Sequence, residues 1–221
     1  MRIAVIMPAY NEEKYLPDLI NEVKKYVEDI IVVDDGSYDN TFSIAKSCGV
    51  EVLRHEVNRG KGAACRTGLD FALSKNYDYV ILMDADGQHS PDDLPKFLKE
   101  IEKREYDLII GKRNLNTNEM PFIRYMTNRL TSLVTSLLSH QKVEDSQSGY
   151  RAVKMSSYKK IELKANKYDI ESEMIIKMGR LGLKIKEIPV KTIYAGQKSY
   201  INPVIDTLRF LRLAVRSLLS G

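Results

Sequence analysis

The 221-residue chain has no tryptophan, two cysteines and three histidines, and nowhere does it run to the roughly 18 consecutive apolar residues that a membrane span requires. Each shortage excludes something. Cys48 and Cys65 stand apart, with no CxxC and no histidine at ligand spacing, so neither a disulfide framework nor a zinc site is expected, and a reducing cytoplasm is the expected compartment. The segment Arg2 to Met7 is strand-like and carries no long apolar stretch or small-residue cleavage site. The chain is therefore expected to be neither exported nor membrane-spanning by itself. The net charge of +4 is modest, and the basic residues gather in one C-terminal helix stripe without interleaved aromatics, which excludes a nucleic-acid binder. No internal repeat and no low-complexity linker occurs. What is there, 43% hydrophobic and 29% charged residues, is the balance of one soluble globular domain over 1–221.

Strand-like runs at 2–7, 30–33, 50–53, 79–83 and 107–110 alternate with helical periodicity at 12–27, 39–48, 61–74 and 92–104. Pro8, Gly36, Gly49 and Gly111 mark the junctions. The alternation predicts an α/β fold with a mostly parallel central sheet and helices on both faces. Beyond 112 the pattern changes to a polar loop from Asn114 to Glu119, a helix over 121–139, a polar stretch into Arg151, a helix over 170–180, a strand over 184–194 and a helix over 203–219.

In such a fold ligands bind where strands end. Asp84-Ala85-Asp86-Gly87-Gln88 follows the apolar run Tyr79 to Met83, so two carboxylates stand at one exit, and Asp-x-Asp can offer both to a hard divalent cation that also grips phosphate. Pro8 to Glu13 and Val33 to Asp39 leave two other strands. These exits bring Tyr10, Glu12 and Asp35 to the same edge, where a ring can stack on a base and carboxylates can accept from ribose or base N–H groups. Any one of these acids reads equally well as a helix cap; three together favour a site. Asn58 to Ala64 opens a helix with a glycine-rich turn, which can present amides and a lysine to an anion or merely permit close packing. It is no P-loop, since no Gly-Lys-Ser/Thr ends it, and no dinucleotide fingerprint, since Cys65 stands where the third glycine would be. Arg113 and Arg151 carry planar forks that match phosphate oxygens, or else pair with a neighbouring acid. Glu171 and Glu173 lie two apart at a helix start, so at most one faces the site. His89 serves the site or supports the loop; His55 and His140 have no visible partner.

With these strings in hand, PAYNEE (8–13), DDGSYDNT (34–41), NRGKGAA (58–64), MDADGQHSP (83–91), GKR (111–113), DSQSGYRA (145–152), YDIESEM (168–174) and YAGQKSYINPVIDTLRF (194–210), the chain resembles the family 2 glycosyltransferases of GT-A fold, and within them the polyprenol-phosphate (dolichol-phosphate) hexosyltransferases. The resemblance covers nearly the whole length. It implies that Pro8, Tyr10, Glu12, Val33 and Asp35 hold the nucleoside. Asp84, Ala85, Asp86 and Gln88 would serve the diphosphate, with Asp84, Asp86 and Gln88 on Mg²⁺ or Mn²⁺, and Arg113, Lys191 and Lys198 on substrate phosphates. Residues 1–111 would be the nucleotide-sugar half and 112–221 the acceptor half. The implied activity is metal-dependent, inverting transfer of one hexose from a nucleotide sugar (GDP-mannose or a UDP-sugar) to a polyprenyl phosphate, with Asp86, Arg113 and Arg151 nearest the chemistry. Processive relatives carry Gln-x-x-Arg-Trp, which a chain without tryptophan lacks.

Two amphipathic helices fit that acceptor. Phe122, Ile123, Met126, Leu130, Leu133, Val134, Leu137 and Leu138 form one apolar stripe. Val204, Ile205, Leu208, Leu211, Val215, Leu218 and Leu219 form another, beside Arg209, Arg212 and Arg216. Such helices either face a core or lie in the plane of a membrane interface. The expectation is a peripheral enzyme on the cytoplasmic face of a membrane, with a membrane-anchored partner subunit admitted. Three alternatives are a family 2 transferase using a soluble or saccharide hydroxyl, with Glu171, Glu173 or Asp145 as base; a sugar-phosphate nucleotidyltransferase, which would carry a glycine-rich loop where PAYNEE stands; and a catalytically silent nucleotide-binding protein.

Overall fold

The computed structural model describes residues 1–114, 122–193 and 203–219. Lys198 and most of the polar loop after Asn114 lie outside them, as do the side chains of 122–124, 203–208 and 219. The elements run β1 (Ile3–Ala9), α1 (Leu16–Val23), β2 (Asp29–Asp34), α2 (Thr41–Ser47), β3 (Glu51–Arg54), α3 (Lys61–Ser74), β4 (Tyr79–Leu82), α4 (Leu94–Glu102), β5 (Leu108–Arg113), α5 (Phe122–Ser139), β6 (Arg151–Lys154), α6 (Met155–Tyr158), α7 (Ile170–Arg180), β7 (Ile185–Val190) and α8 (Pro203–Leu219).

The seven strands form one sheet in the order β3-β2-β1-β4-β6-β5-β7. Every pairing is parallel except those of β6, which runs antiparallel to β4 and to β5. This strand is absent from the sequence expectation, and the reason is physical. Four residues opening on an arginine show neither a period nor an apolar run; only tertiary pairing on both sides makes Arg-Ala-Val-Lys a strand. Its direction matters for the site. Arg151 pairs with Leu82 and with Ile110, so residues 145–150 arrive at the edge where the parallel strands β1, β2, β4, β5 and β7 end.

Successive strand residues feed opposite layers. Ala4 and Ile6 of β1 join Ala64, Leu69, Met174 and Met178 under α3 and α7, whereas Val5 and Met7 join Leu16, Ile20, Val23, Leu94, Phe97 and Ile101 under α1 and α4. Burial on both faces is what turns these strands into near-continuous apolar runs. The helix α3 sits close, because Gly62 and Gly68 leave no Cβ: one on Gly68 would fall 2.6 Å from Ile6 Cγ2, and one on Gly62 would fall 2.6 Å from the Ala165 carbonyl oxygen. The packing reading of the glycine-rich turn is thus realised in the structure.

The helices α5 and α8 invert the usual pattern. The faces of α5 turned inward carry Thr131, Ser132, Thr135 and Ser139 beside Leu138, while Met126, Leu130, Leu133 and Leu137 are 50–67% exposed. In α8, Phe210, Ala214 and Ser217 are buried and Leu211, Val215 and Leu218 are 52–69% exposed. The two helices meet through Leu138, Ala214 and Ile176 of α7. Among the described residues no helix is long and apolar enough to cross a membrane.

Gly62→Ala should cost about 2 kcal/mol or more by overpacking against the rigid backbone of 165–167. A urea midpoint indistinguishable from that of the unaltered chain would show that this contact has room to relax.

Candidate active site

The residues after β4 fold back on themselves. The Met83 N–H donates to the Ile6 carbonyl, the Asp84 N–H donates to His89 Nδ1 at 3.0 Å, and the Gln88 N–H donates to Asp86 Oδ1 at 2.9 Å. Gly87 takes φ +74° in this turn, a conformation that a side chain would strain. His89 is buried, stacks on Tyr150 at 4.8 Å, and is held near pKa 4 because burial disfavours its cation. It supports the loop as a neutral acceptor.

Asp84 points to a lysine. Lys61 Nζ lies 2.7 and 2.8 Å from the two Asp84 carboxylate oxygens and 3.0 Å from Glu171 Oε1. Burial alone would raise the Asp84 pKa, yet the ammonium brings it below the ordinary range; burial would lower Lys61, yet Asp84 and Glu171 together lift it well above. Asp86 has no such ion pair among the described residues, and burial and the neighbouring Asp84 push it up to about 6. Glu12 follows for the same reasons: burial first, then Asp86 and Asp84, bring it to about 7. The strand exits of β1 and β4 thus hold three mutually repelling carboxyls. Gly149, on the segment before β6, closes over them, for a Cβ there would meet Lys61 Nζ at 2.7 Å and Asp84 Oδ2 at 2.8 Å.

The expected nucleoside residues divide. Tyr10 is half-buried and edge-on to the exposed Tyr38 ring at 6.1 Å, and Pro8 is half-buried at the end of β1. The Val33 side chain lies in the core cluster beneath α3 and Ala85 is 2% exposed, so only their main chains can meet a ligand. Asp35 departs furthest from expectation. Its carboxylate accepts from the Arg59 and Gly60 N–H groups at 2.9 and 2.7 Å and meets His55 Nδ1 at 2.7 Å, and it is 2% exposed. Those contacts brace the turn that launches α3. The partner of His55 was legible in principle, because Asp34 pairs with Arg54 in the parallel register of β2 and β3, which sets Asp35 beside His55.

The two arginines also separate. Arg113, at the end of β5, is gripped by Asp145 through Nε and Nη2, both at 2.8 Å, and through its own N–H at 3.0 Å. Burial would raise Asp145, and Arg113 brings it below the usual carboxylate range. Glu187 on β7 fixes Asp145 in turn by accepting its N–H at 2.9 Å. Arg151, expected on a phosphate, is instead 1% exposed and donates to the carbonyls of Ser146, Ser148 and Glu171 at 2.6–2.7 Å. With those donors turned to main-chain carbonyls, it braces the walls of the site. Lys191 is exposed just past β7, its N–H on Asp93 at 2.7 Å. Of the two glutamates, Glu171 meets Lys61, while Glu173 accepts from the Lys164 and Ala165 N–H groups and pairs with Lys177, as a spacing of two requires. Pairing of Lys61 with Asp84 was not foreseen; the residues lie on different elements 23 positions apart.

No three acidic, histidine or cysteine side chains among the described residues form a closed metal cage. Asp84, Asp86 and the Gln88 amide are nevertheless hard oxygen donors at one turn, the partial set that suits an ion completing its shell with water and phosphate.

Three comparisons agree with this architecture. A UDP-N-acetylglucosamine–dolichyl-phosphate N-acetylglucosaminyltransferase of Methanococcus voltae is 37% identical, with 87% of this chain and 86% of that one aligned. An undecaprenyl-phosphate mannosyltransferase of Micrococcus luteus is 33% identical, with 86% and 83% aligned. The crystal structure of glucosyl-3-phosphoglycerate synthase from Mycobacterium tuberculosis, with Mn²⁺, uridine diphosphate and its product, superposes with a TM-score of 0.74 over 99% of this chain and 79% of that one at 22% identity, a likeness of fold. The family model for glycosyl transferase family 2 matches residues 4–162, and with strand exits, acid pair and sheet order all in place, the chain belongs to that family and is a glycosyltransferase of GT-A fold.

Proposed function

We propose that this enzyme transfers one hexose, with inversion, from a nucleotide sugar to a polyprenyl phosphate on the cytoplasmic face of a membrane, aided by Mg²⁺ or Mn²⁺. The observation that carries the lipid acceptor is the outward apolar face of α5 together with that of α8. An enzyme for a soluble acceptor has no use for four large apolar side chains on one helix and three on another left in water. Relatives named for dolichyl phosphate and undecaprenyl phosphate support the same acceptor.

The chemistry fits. Mg²⁺ or Mn²⁺ on Asp84, Asp86 and Gln88 would supply Lewis-acid stabilisation of the departing nucleoside diphosphate. A phosphate acceptor is already anionic and needs no strong base. That matters because Asp145 is spent on Arg113, Glu173 on backbone amides and Glu171 on Lys61, which disfavours a hydroxyl acceptor. Arg113, oriented by Asp145 and Glu187, and Lys191 offer cations to the substrate phosphates. Tyr10 and Glu12 flank the nucleoside, and the exposed Arg212 and Arg216 of α8 lie among anionic head groups.

A matrix of GDP- and UDP-sugars against a short polyprenyl phosphate should yield label in the lipid phase with one donor; none with any donor would overturn the proposal. Asp86→Ala should lower transfer by about 100-fold or more with an unchanged melting curve. Arg212→Glu with Arg216→Glu should release the protein from anionic vesicles, and co-sedimentation unaltered by the pair would count against the docking.

Asp86 and Glu12 also predict a pH dependence. Their folded pKa values, about 6 and about 7, exceed the ordinary 3.8 and 4.5, so the native state binds more protons than the unfolded one between those limits. Stability without metal should therefore fall as pH rises through that window. Mn²⁺ needs the Asp86 carboxyl ionised, so its affinity should rise as pH passes through about 6. Calorimetry at pH 6 in two buffers of different ionisation enthalpy should register proton release on binding, and none at pH 8.5.

A further inference from the structure

We propose that Lys61 and Glu171 are positioning residues that set the divalent-cation affinity of Asp84: the Lys61 ammonium competes with the cation for the Asp84 carboxylate, and Glu171 is the seat to which the ammonium withdraws. The inference rests on the metal reading above. Lys61 Nζ covers both Asp84 oxygens, at 2.7 and 2.8 Å, so a dication approaching that carboxylate meets a positive charge already on it. The ammonium has somewhere to go. Glu171 is 5% exposed, gives Oε1 to Lys61 at 3.0 Å, and keeps Oε2 buried without a hydrogen-bond partner among the described residues. A buried carboxylate oxygen left unpaired is costly, and a small swing of the lysine head would satisfy it while freeing Asp84.

Two neighbours border that swing. Gly149 closes the site at 2.7 Å from Lys61 Nζ if given a Cβ, and the Tyr168 ring lies 5.9 Å away on another side. The Glu171 main chain is held in place, because the buried Arg151 donates to its carbonyl at 2.6 Å. Lys61 starts α3, so its backbone is anchored where Gly60 donates to Asp35. The device is an ammonium on a flexible stem between two carboxylates, one of which belongs to the ligand set.

The test is a double-mutant cycle on Mn²⁺ affinity, measured without nucleotide by the electron paramagnetic resonance of free Mn²⁺. Lys61→Met should tighten Mn²⁺ binding about tenfold or more, with Lys61→Gln as the second variant should the first unfold. Glu171→Gln should weaken it several-fold in the parent chain, because the ammonium then stays on Asp84, and should have little effect once Lys61 is gone. Equal weakening by Glu171→Gln in both backgrounds would mean simple long-range attraction and would overturn the proposal, as would unchanged affinity in both Lys61 variants. Asp86→Ala is run alongside: affinity untouched by it would bring down the metal reading and this inference together, whereas affinity lost in it with an additive cycle brings down the inference alone.

Discussion

A buried guanidinium organises this enzyme. Arg151 opens the antiparallel strand β6 and spends three donors on the carbonyls of Ser146, Ser148 and Glu171. Burying a cation is expensive unless every donor finds an acceptor, so the segment 145–150 and the start of α7 must come to it. From that requirement follows much of the working edge. Asp145 reaches Arg113, Gly149 lies over Asp84, and Glu171 meets Lys61. The one strand that runs against the rest is what lets the second half of the chain close over the first.

The electrostatics of that edge are a balance of repulsions. Asp84, Asp86 and Glu12 stand close enough that only Asp84, beside Lys61, is comfortably ionised. Elsewhere the acids are pacified by the scaffold, Asp35 by two amides and a histidine, and Glu173 by two amides and a lysine. The scaffold thus neutralises the acids that hold the fold together and leaves charge strained where a cationic ligand would relieve it, the arrangement typical of functional sites.

The sequence disclosed what depends on local pattern. The helices over 61–74, 170–180 and 203–219 appear as expected, because their apolar periodicity and their breakers are written within a few turns. So does the acid pair at the exit of β4, since a strand and its exit are contiguous. Hidden were the features that arise only between distant segments. The strand β6 has no period of its own, and Asp35 read as a ligand contact because nothing local reveals that Arg59, Gly60 and His55 occupy its oxygens. Arg151 read as a phosphate contact for the same reason. A charged residue gives no hint of its burial until the topology is known.

The docking proposed for the inverted helices α5 and α8 carries a consequence for kinetics. A chain that rests on a bilayer by its outward leucines meets its acceptor in two dimensions, so the rate of encounter tracks how densely the lipid phosphate populates the surface rather than how much is present in the suspension. Diluting the acceptor lipid with inert phospholipid would then slow turnover at constant total acceptor, whereas diluting the whole suspension with buffer would change it little once the protein is bound.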